Sequence, residues 1–447
     1  MTTTKNNEHK KLNAPNKQEQ NQICLDSAEC EGLSTKGNVP NLRFPEFQGE
    51  WEKMRLDAFT KRVMRKNKSN QSRLPLTISA QYGLVDQIKF FNKIVASTDL
   101  SNYYLLKKGE FAYNKSYSSD YPWGAIKRLD NYDQGALSSL YICFTPQDNV
   151  VSDFILQYFE SPKWHKGISE IAVEGARNHG LLNVSVQDFF HTYHYVPKDK
   201  KEQIKISKLL MLLDERIATQ NKIIEDLKKL KSAIVEKVFC SPNQEYPMCR
   251  IEGFEQALST YKMSDFSSRI ATKNKDSKCL LVLTIAAQYG LVNQESFFNK
   301  SVASENLTGY YLLHKGEFAY NRSYSAGYDW GAVKRLDNYD EGVLSTLYIC
   351  FKINETIVDS DYLTYYFEST KWHRGLSDIA GEGARNHGLL NVSMADYFNT
   401  KHRFPVIEEQ KAIAKILNAI TEKERKATLL GECYQKQKQY LLRQMFI

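Results

Sequence analysis

The sequence predicts an α+β protein with two tandem, homologous domains of mixed α/β structure, separated by two long helices that pair as a coiled coil. Three observations predict it. The chain repeats itself once, each repeat is dense in short β-branched and aromatic segments, and each ends in a long apolar stripe at helical spacing. A chain of 447 residues is also too long for one core, since single cores usually stop growing near ~250 to 300 residues.

The repeat comes first, because it sets every boundary. Shifting the sequence by 207 positions lays Arg43 on Arg250 and Phe47 on Phe254. TISAQYGLV from Thr77 then meets TIAAQYGLV from Thr284, GEFAYNKSYS from Gly109 meets GEFAYNRSYS from Gly316, and KRLDNYDQG from Lys127 meets KRLDNYDEG from Lys334. Between Thr77 and Phe144 about three quarters of positions are identical. One residue slips in before GEGARNHGLLNVS (Gly381 to Ser393), the match of VEGARNHGLLNVS (Val173 to Ser185). The slip is reversed where Glu202-Gln203 meet Glu409-Gln410, and Val238-Phe239 fall on Met445-Phe446. The expected organisation is a leader over 1–40, a domain over 41–200, a helix over 201–240, a second domain over 241–407 and a second helix over 408–447. The leader is rich in Asn, Lys, Gln and Thr and is expected to be disordered.

Within each domain, segments such as SSLYICF (Ser138 to Phe144) read as short strands between Gly, Asn, Asp and Ser clusters. Cys143 and Cys350 occupy one such strand and read as packing residues. From Glu202 to Val238, Ile206, Leu209, Leu210, Leu213, Ile217, Ile224, Leu227, Leu230 and Ile234 recur at helical spacing with no Pro or Gly. The second stripe carries Ile413, Ile416, Leu417, Ile420, Ala427, Leu430, Tyr434 and Leu441 and is broken only by Gly431. Such stripes must be buried, and each helix is the other's natural partner. About 37 uninterrupted residues make a rod of ~55 Å, longer than one such domain could cover.

Composition narrows the function classes. Apolar residues at 42% and charged residues at 25% fit a folded chain, and a net charge of +8 suits a polyanionic partner. The eight cysteines form no C-x-x-C pair and no zinc-finger spacing, so they read as reduced thiols of a cytoplasmic protein. No apolar run approaches the ~18 residues of a membrane span.

Catalytic signatures are lacking. GEFAYNKS at Gly109 to Ser116 imitates a phosphate-binding loop, but Asn114 stands where the second glycine is required and Arg322 replaces the lysine in the second copy. The Asn/Asp-Pro-Pro-aromatic signature of adenine-N6 methyltransferases and a dinucleotide-binding G-x-G-x-x-G are both missing. His165 and His373, with His179 and His387, lack hydrolase or zinc spacing. The recurring carboxylates Asp130, Asp133, Glu174, Asp337, Asp340 and Glu382 lie beside basic residues and read as ion-pair partners rather than a nuclease cluster.

A nucleic-acid surface is the richer reading. Tyr113, Asn114, Lys115, Ser116 and Tyr117, with Tyr320, Asn321, Arg322, Ser323 and Tyr324, mix amide, hydroxyl, basic and aromatic groups. Asn suits adenine edges, Arg or Lys suits guanine, and hydroxyls reach phosphate. Arg177, Asn178 and His179, with Arg385, Asn386 and His387, form a second such cluster, and Lys127, Arg128, Lys334 and Arg335 add basic groups. A run of Lys61, Arg62, Arg65, Lys66, Lys68 and Arg73 suits phosphate or a solvated face equally. The substitution of Arg322 for Lys115 leaves room for a difference at one base.

VPNLRFPEF at Val39 to Phe47, the TISAQYGL and GEFAYNKSYS strings, GARNHGLLNVS, and E-Q-x-x-I opening a long helix together resemble the specificity subunits of type I restriction–modification systems. The resemblance covers nearly the whole chain beyond the leader. It implies two target-recognition domains separated by two long antiparallel coiled-coil helices that act as a ruler, a pseudo-two-fold symmetric arrangement binding double-stranded DNA. It also implies two methyltransferase subunits, which flip and methylate one adenine in each half of a bipartite target, and motor–nuclease subunits that restrict. S-adenosylmethionine, ATP and Mg are then expected in those partners and no cofactor in this chain. The recognition domains of the family usually differ from each other, whereas here they are near-copies, so matching inverted half-sites are expected. The alternative reading is a non-catalytic coiled-coil scaffold with protein-binding domains.

Overall fold

A computed structural model describes residues 37–93, 95–118, 120–172, 180–275, 277–300, 303–323, 327–379, 385–386 and 389–447. The leader lies outside the described residues as far as residue 36. The chain divides into two units, one holding residues up to Ala218 together with Glu432–Ile447, the other Thr219–Gly431. Both seams fall inside long helices, so each unit contains part of both.

In unit one, Glu52–Arg55 pairs antiparallel with Tyr193–Val196 and ties the start of the domain to its end. Thr60–Arg62, Ile142–Pro146, Phe111–Asn114 and Ala125–Arg128 lie side by side in an antiparallel sheet. A second sheet orders Gly83–Asp86, Pro75–Ser79, Gln134–Leu137 and Tyr104–Lys107, with one parallel step between Pro75–Ser79 and Gln134–Leu137. Aromatic rings fill the main core: Phe111 stacks on Phe144 at 5.4 Å, and Trp51 and Tyr158 meet Phe446 edge-on at 6.4 and 5.7 Å. A smaller cluster under the second sheet contains Leu76, Leu106, Leu137 and Cys143. Burial pushes the Cys143 thiol up to about 12, which leaves it an inert packing group.

Unit two repeats the plan. Ser259–Lys262 pairs with Lys401–Phe404, and Ser267–Arg269, Ile349–Ile353, Phe318–Asn321 and Ala332–Arg335 form the antiparallel sheet. In its second sheet the hairpin of Leu283–Ala286 with Gly290–Asn293 meets the pair Tyr311–His314 and Glu341–Leu344 at a parallel bridge, Val282 to Val343.

The long helices are Lys200–Val238, with 39 residues, and Ile407–Gln444, with 38. At 1.5 Å per residue each is roughly 55 to 60 Å long. They run antiparallel within each unit. In unit one, Lys438 pairs with Asp214, and the Leu42 amide donates to the Gln444 carbonyl at 2.9 Å. In unit two, the buried Gln220 side chain donates to the Ala427 carbonyl at 2.9 Å, while Val235 and Phe239 share a core with Ile413 and Leu417.

Gly431 interrupts the apolar stripe while its helix continues as expected: it is buried, with Gln220 and Ile224 side chains 3.5 and 3.7 Å from where a Cβ would stand. A small residue there lets the helices approach closely. The apolar stripe is also wider than one partner helix covers, and Leu209, Leu230, Ile416 and Leu430 stay exposed. No helix among the described residues is long and apolar enough to cross a membrane.

Candidate nucleic-acid interface

Strand Phe111–Asn114 carries the first predicted cluster to the edge of the domain. Tyr113 points inward. Its ring is 0% exposed, stacks on Phe189 at 4.9 Å, and its hydroxyl donates to the Trp123 carbonyl at 2.9 Å. Tyr320 is equally buried, stacked on Tyr397 at 4.8 Å and bonded to the Trp330 carbonyl at 2.9 Å. Burial raises both phenols, which stay neutral donors. Neither ring has surface to offer DNA, so these two residues are corrected from contact candidates to core anchors of the strand.

The strand ends in a tight polar turn. Asn114 Oδ1 accepts the Ser116 amide at 3.0 Å, and Asn321 does the same for Ser323 at 3.0 Å. Each carbonyl oxygen is thus committed to the turn, leaving the NH2 end to donate to a ligand. Gly124 and Gly331 hold φ of +77° and +75°, and a Cβ at either would come within 2.1 Å of the Asn114 or Asn321 carbonyl oxygen. Only glycine lets the next strand begin against this turn.

Lys115 and Arg322 are tied to their own domains. Lys115 Nζ donates to the Val184 carbonyl at 3.3 Å, and Arg322 donates to those of Val392 at 3.1 Å and Leu347 at 3.4 Å. They hold the later loop beside the turn. The Tyr117 amide bonds the Gly180 carbonyl at 3.1 Å and the Leu182 amide bonds the Lys115 carbonyl at 2.9 Å, so Gly180 and Leu182 lie beside the turn. Arg177, Asn178, His179, Tyr324 and His387 lie outside the described residues. Of Arg385 and Asn386 the backbone is described, paired with Leu389–Leu390.

The remaining basic candidates are mostly neutralised. Lys127 pairs with Glu160 at 2.6 Å, Arg128 with Asp130 and Asp153 at 2.6 and 2.7 Å, and Arg335 with Asp337 and Asp361 at 2.6 and 2.8 Å. Lys334 differs from its counterpart Lys127. Glu368 pairs instead with Lys231 at 3.4 Å, and burial lowers the Lys334 ammonium below its ordinary value. Of the basic run, Arg65 is clasped by Glu110 at 2.8 and 3.0 Å and Lys66 sits 4.1 Å over the Tyr104 ring. His165 and His373 are half-buried and their pKa values are lowered by burial, so they are neutral at pH 7. Among the described residues no three His, Cys, Asp or Glu side chains are grouped to hold a metal.

A cleft of about 670 Å³ in unit two is lined by Lys228, Lys231, Tyr289, Tyr328, Lys334 and His373. Its counterpart in unit one, about 240 Å³, is lined by Tyr121, Lys127, Trp164, His165, Gln439 and Arg443. The sequence reading missed a further feature. The hairpin turns holding Tyr82 and Tyr289, and the five-residue helices Gln87–Phe91 and Gln294–Phe298, bury no side chain of those helices. No period-based signal distinguishes such a helix from core.

The chain is built from two repeated α/β units, each containing part of both long helices, and solved structures share that fold. No protein-family model and no curated protein sequence matches the chain. The type I restriction–modification S subunit from M. genitalium matches with a TM-score of 0.51 at 16% identity, over 92% of this chain and 99% of that one. A chain from a structural study of complex assembly and conformational transition of the type I R-M system matches at 0.50 and 13% identity, over 90% and 98%. The HsdS subunit from Thermoanaerobacter tengcongensis gives 0.43 at 13%, over 90% and 99%. This chain has the fold of type I restriction–modification S subunits.

Proposed function

We propose that this chain is the non-catalytic, sequence-specific DNA-binding subunit of a type I restriction–modification complex, acting with DNA in the cytoplasm. It reads a bipartite target through two near-identical domains and directs adenine-N6 methylation and restriction by partner subunits. The observation that carries this reading is the duplicated unit itself. Both copies bring the same polar turn, Asn114-Ser116 or Asn321-Ser323, to a domain edge, on a fold shared with S subunits. A reading subunit needs no active site when a partner flips the base out and modifies it.

The helices support the partners. Leu209, Leu212, Leu230, Ile416 and Leu430 are exposed apolar groups, suited to covering helices of two methyltransferase subunits. Motor–nuclease subunits then join that assembly. Half-sites read from one face of B-DNA lie about one turn, ~34 Å, apart, and the helix length sets their separation. S-adenosylmethionine, ATP and Mg belong to the partners in this reading.

Co-expression with the methyltransferase subunit tests it. The expected result is a stable complex that methylates adenine in target-bearing duplex, with neither protein active alone. Methylation by this chain alone, or a stable complex indifferent to DNA sequence, overturns it.

A further inference from the structure

Among the described residues each unit exposes a group of three aromatic rings on one hairpin and the short helix after it. Tyr82 and Tyr289, each 68% exposed, sit in the turns of hairpins Pro75–Ser79/Gly83–Asp86 and Leu283–Ala286/Gly290–Asn293. Phe90 and Phe91, with Phe297 and Phe298, stand on the short helices that follow and are all more than 40% exposed. The rings lean edge to face on one another, Phe90 on Phe91 at 5.1 Å and Phe297 on Phe298 at 5.1 Å. The helices are built to stay in place: Asp86 and Asn293 cap their N-termini, and Asn92 and Asn299 end them in left-handed conformation.

The two copies give an internal comparison. Across this tip Asp86, Ile88 and Lys89 became Asn293, Glu295 and Ser296, while Gln81, Tyr82, Phe90, Phe91, Asn92 and Lys93 recur as Gln288, Tyr289, Phe297, Phe298, Asn299 and Lys300. Solvent-exposed rings are the group hardest to retain without a partner, since they offer no core packing and promote association. Each patch is three rings, and in sequence Gln81 or Gln288 precedes the tyrosine while Lys93 or Lys300 follows the second phenylalanine by two positions. That suits packing on sugars and base edges more than a broad protein interface, which buries ~800 Å² on each side. Charge favours the same occupant: Tyr289 shares its cleft with three lysines, Lys228, Lys231 and Lys334, against two glutamates, Glu368 and Glu424, and the whole chain carries +8.

We propose that these aromatic tips are DNA contacts, one per half-site, with Tyr82, Phe90 and Phe91 or Tyr289, Phe297 and Phe298 packing against the duplex and Lys93 or Lys300 meeting phosphate. The proposal rests on the DNA-reading function above. It adds residues that polarity alone does not single out.

The test measures affinity of the full chain, assembled with its methyltransferase subunit, for target and scrambled duplexes across a salt series. The variants are Tyr82→Ala/Phe90→Ala/Phe91→Ala, the equivalent triple at 289, 297 and 298, and Lys93→Ala. Each ring triple is expected to weaken target binding about 10-fold or more with the salt slope unchanged, because rings release no counterions. Lys93→Ala is expected to lower the slope by about 1. The rings are exposed, so folding and subunit assembly stay intact. Wild-type discrimination of target from scrambled DNA, with ring variants binding as wild type, overturns the tips alone. Loss of subunit assembly in the ring variants reassigns the tips to a protein partner and overturns them too. Failure of the wild-type assembly to discriminate overturns both readings.

Discussion

Glu202, at the start of the first long helix, clasps Arg43 from the segment ahead of the domain: its carboxylate receives Arg43 Nε at 2.7 Å and Nη2 at 2.8 Å. Trp51 Nε1 donates to the same carboxylate at 3.1 Å. Glu409 repeats the clasp with Arg250 at 2.9 and 2.7 Å. The neighbouring Gln203 receives the Val151 amide at 2.7 Å and donates to the Pro197 carbonyl at 2.8 Å. The E-Q pair that opens each helix is therefore a buried joint between helix and domain.

Removing one side of that joint leaves the other buried and uncompensated. Glu202→Ala is expected to destabilise unit one by about 3 kcal/mol, because its side chain and that of Arg43 are only 2% and 12% exposed. The double variant Arg43→Ala/Glu202→Ala recovers part of the loss. Denaturant unfolding of the single and double variants checks this, and additive losses would argue against a coupled pair.

A second expectation concerns acid. His194 and His402 are buried, each held between a tyrosine hydroxyl and a threonine hydroxyl, Tyr158 and Thr192 at 2.8 Å in unit one, and burial pushes both down to about 3. Unfolded histidine titrates near ~6.5, so between that pH and about 3 the unfolded chain binds more protons. Stability from this source is complete above pH ~6.5 and falls by roughly 1.4 kcal/mol per pH unit per histidine as pH drops. Unfolding free energies of wild type and His194→Gln from pH 7 to 5 test it; equal slopes would refute the assignment.

Gly431 offers a gain. Its nearest neighbours leave contacts of 3.5 and 3.7 Å to an added Cβ, ordinary van der Waals distances, within an unbroken helix. Gly431→Ala is expected to stabilise the protein by up to about 1 kcal/mol. A lower melting temperature would mean the helices cannot admit one methyl group.

Lys115 and Arg322 differ between copies yet reach equivalent backbone carbonyls, Val184 and Val392. Exchanging them is therefore expected to leave target choice unchanged. Lys115→Arg should methylate the same motif as wild type, and a changed base in one half-site would restore a base-reading role to this position.

Sequence alone carried the architecture further than the site. The 207-residue repeat and the two long apolar stripes are long-range signals that local context cannot erase, and both appear as matched units and continuous helices. The polar clusters could be named from composition, and the backbone at Gly180 bonds the turn that follows Asn114. Tyr113 could not be oriented, because Phe111, Ala112 and Tyr113 are all buried and a strand covered on both faces shows no alternation. Phe90 and Phe91 carry no exposure signal in the sequence, and only their place on the short helix after the hairpin reveals that they do not pack inward.

The most direct test of the central claim is genome-wide mapping of adenine methylation in cells expressing this chain with its methyltransferase partner, against cells lacking it. The near-identity of the two copies predicts one interrupted motif whose halves are matching inverted repeats. An interrupted motif with unrelated halves would contradict equivalence of the two domains, and the absence of any motif dependent on this chain would contradict its role in reading DNA.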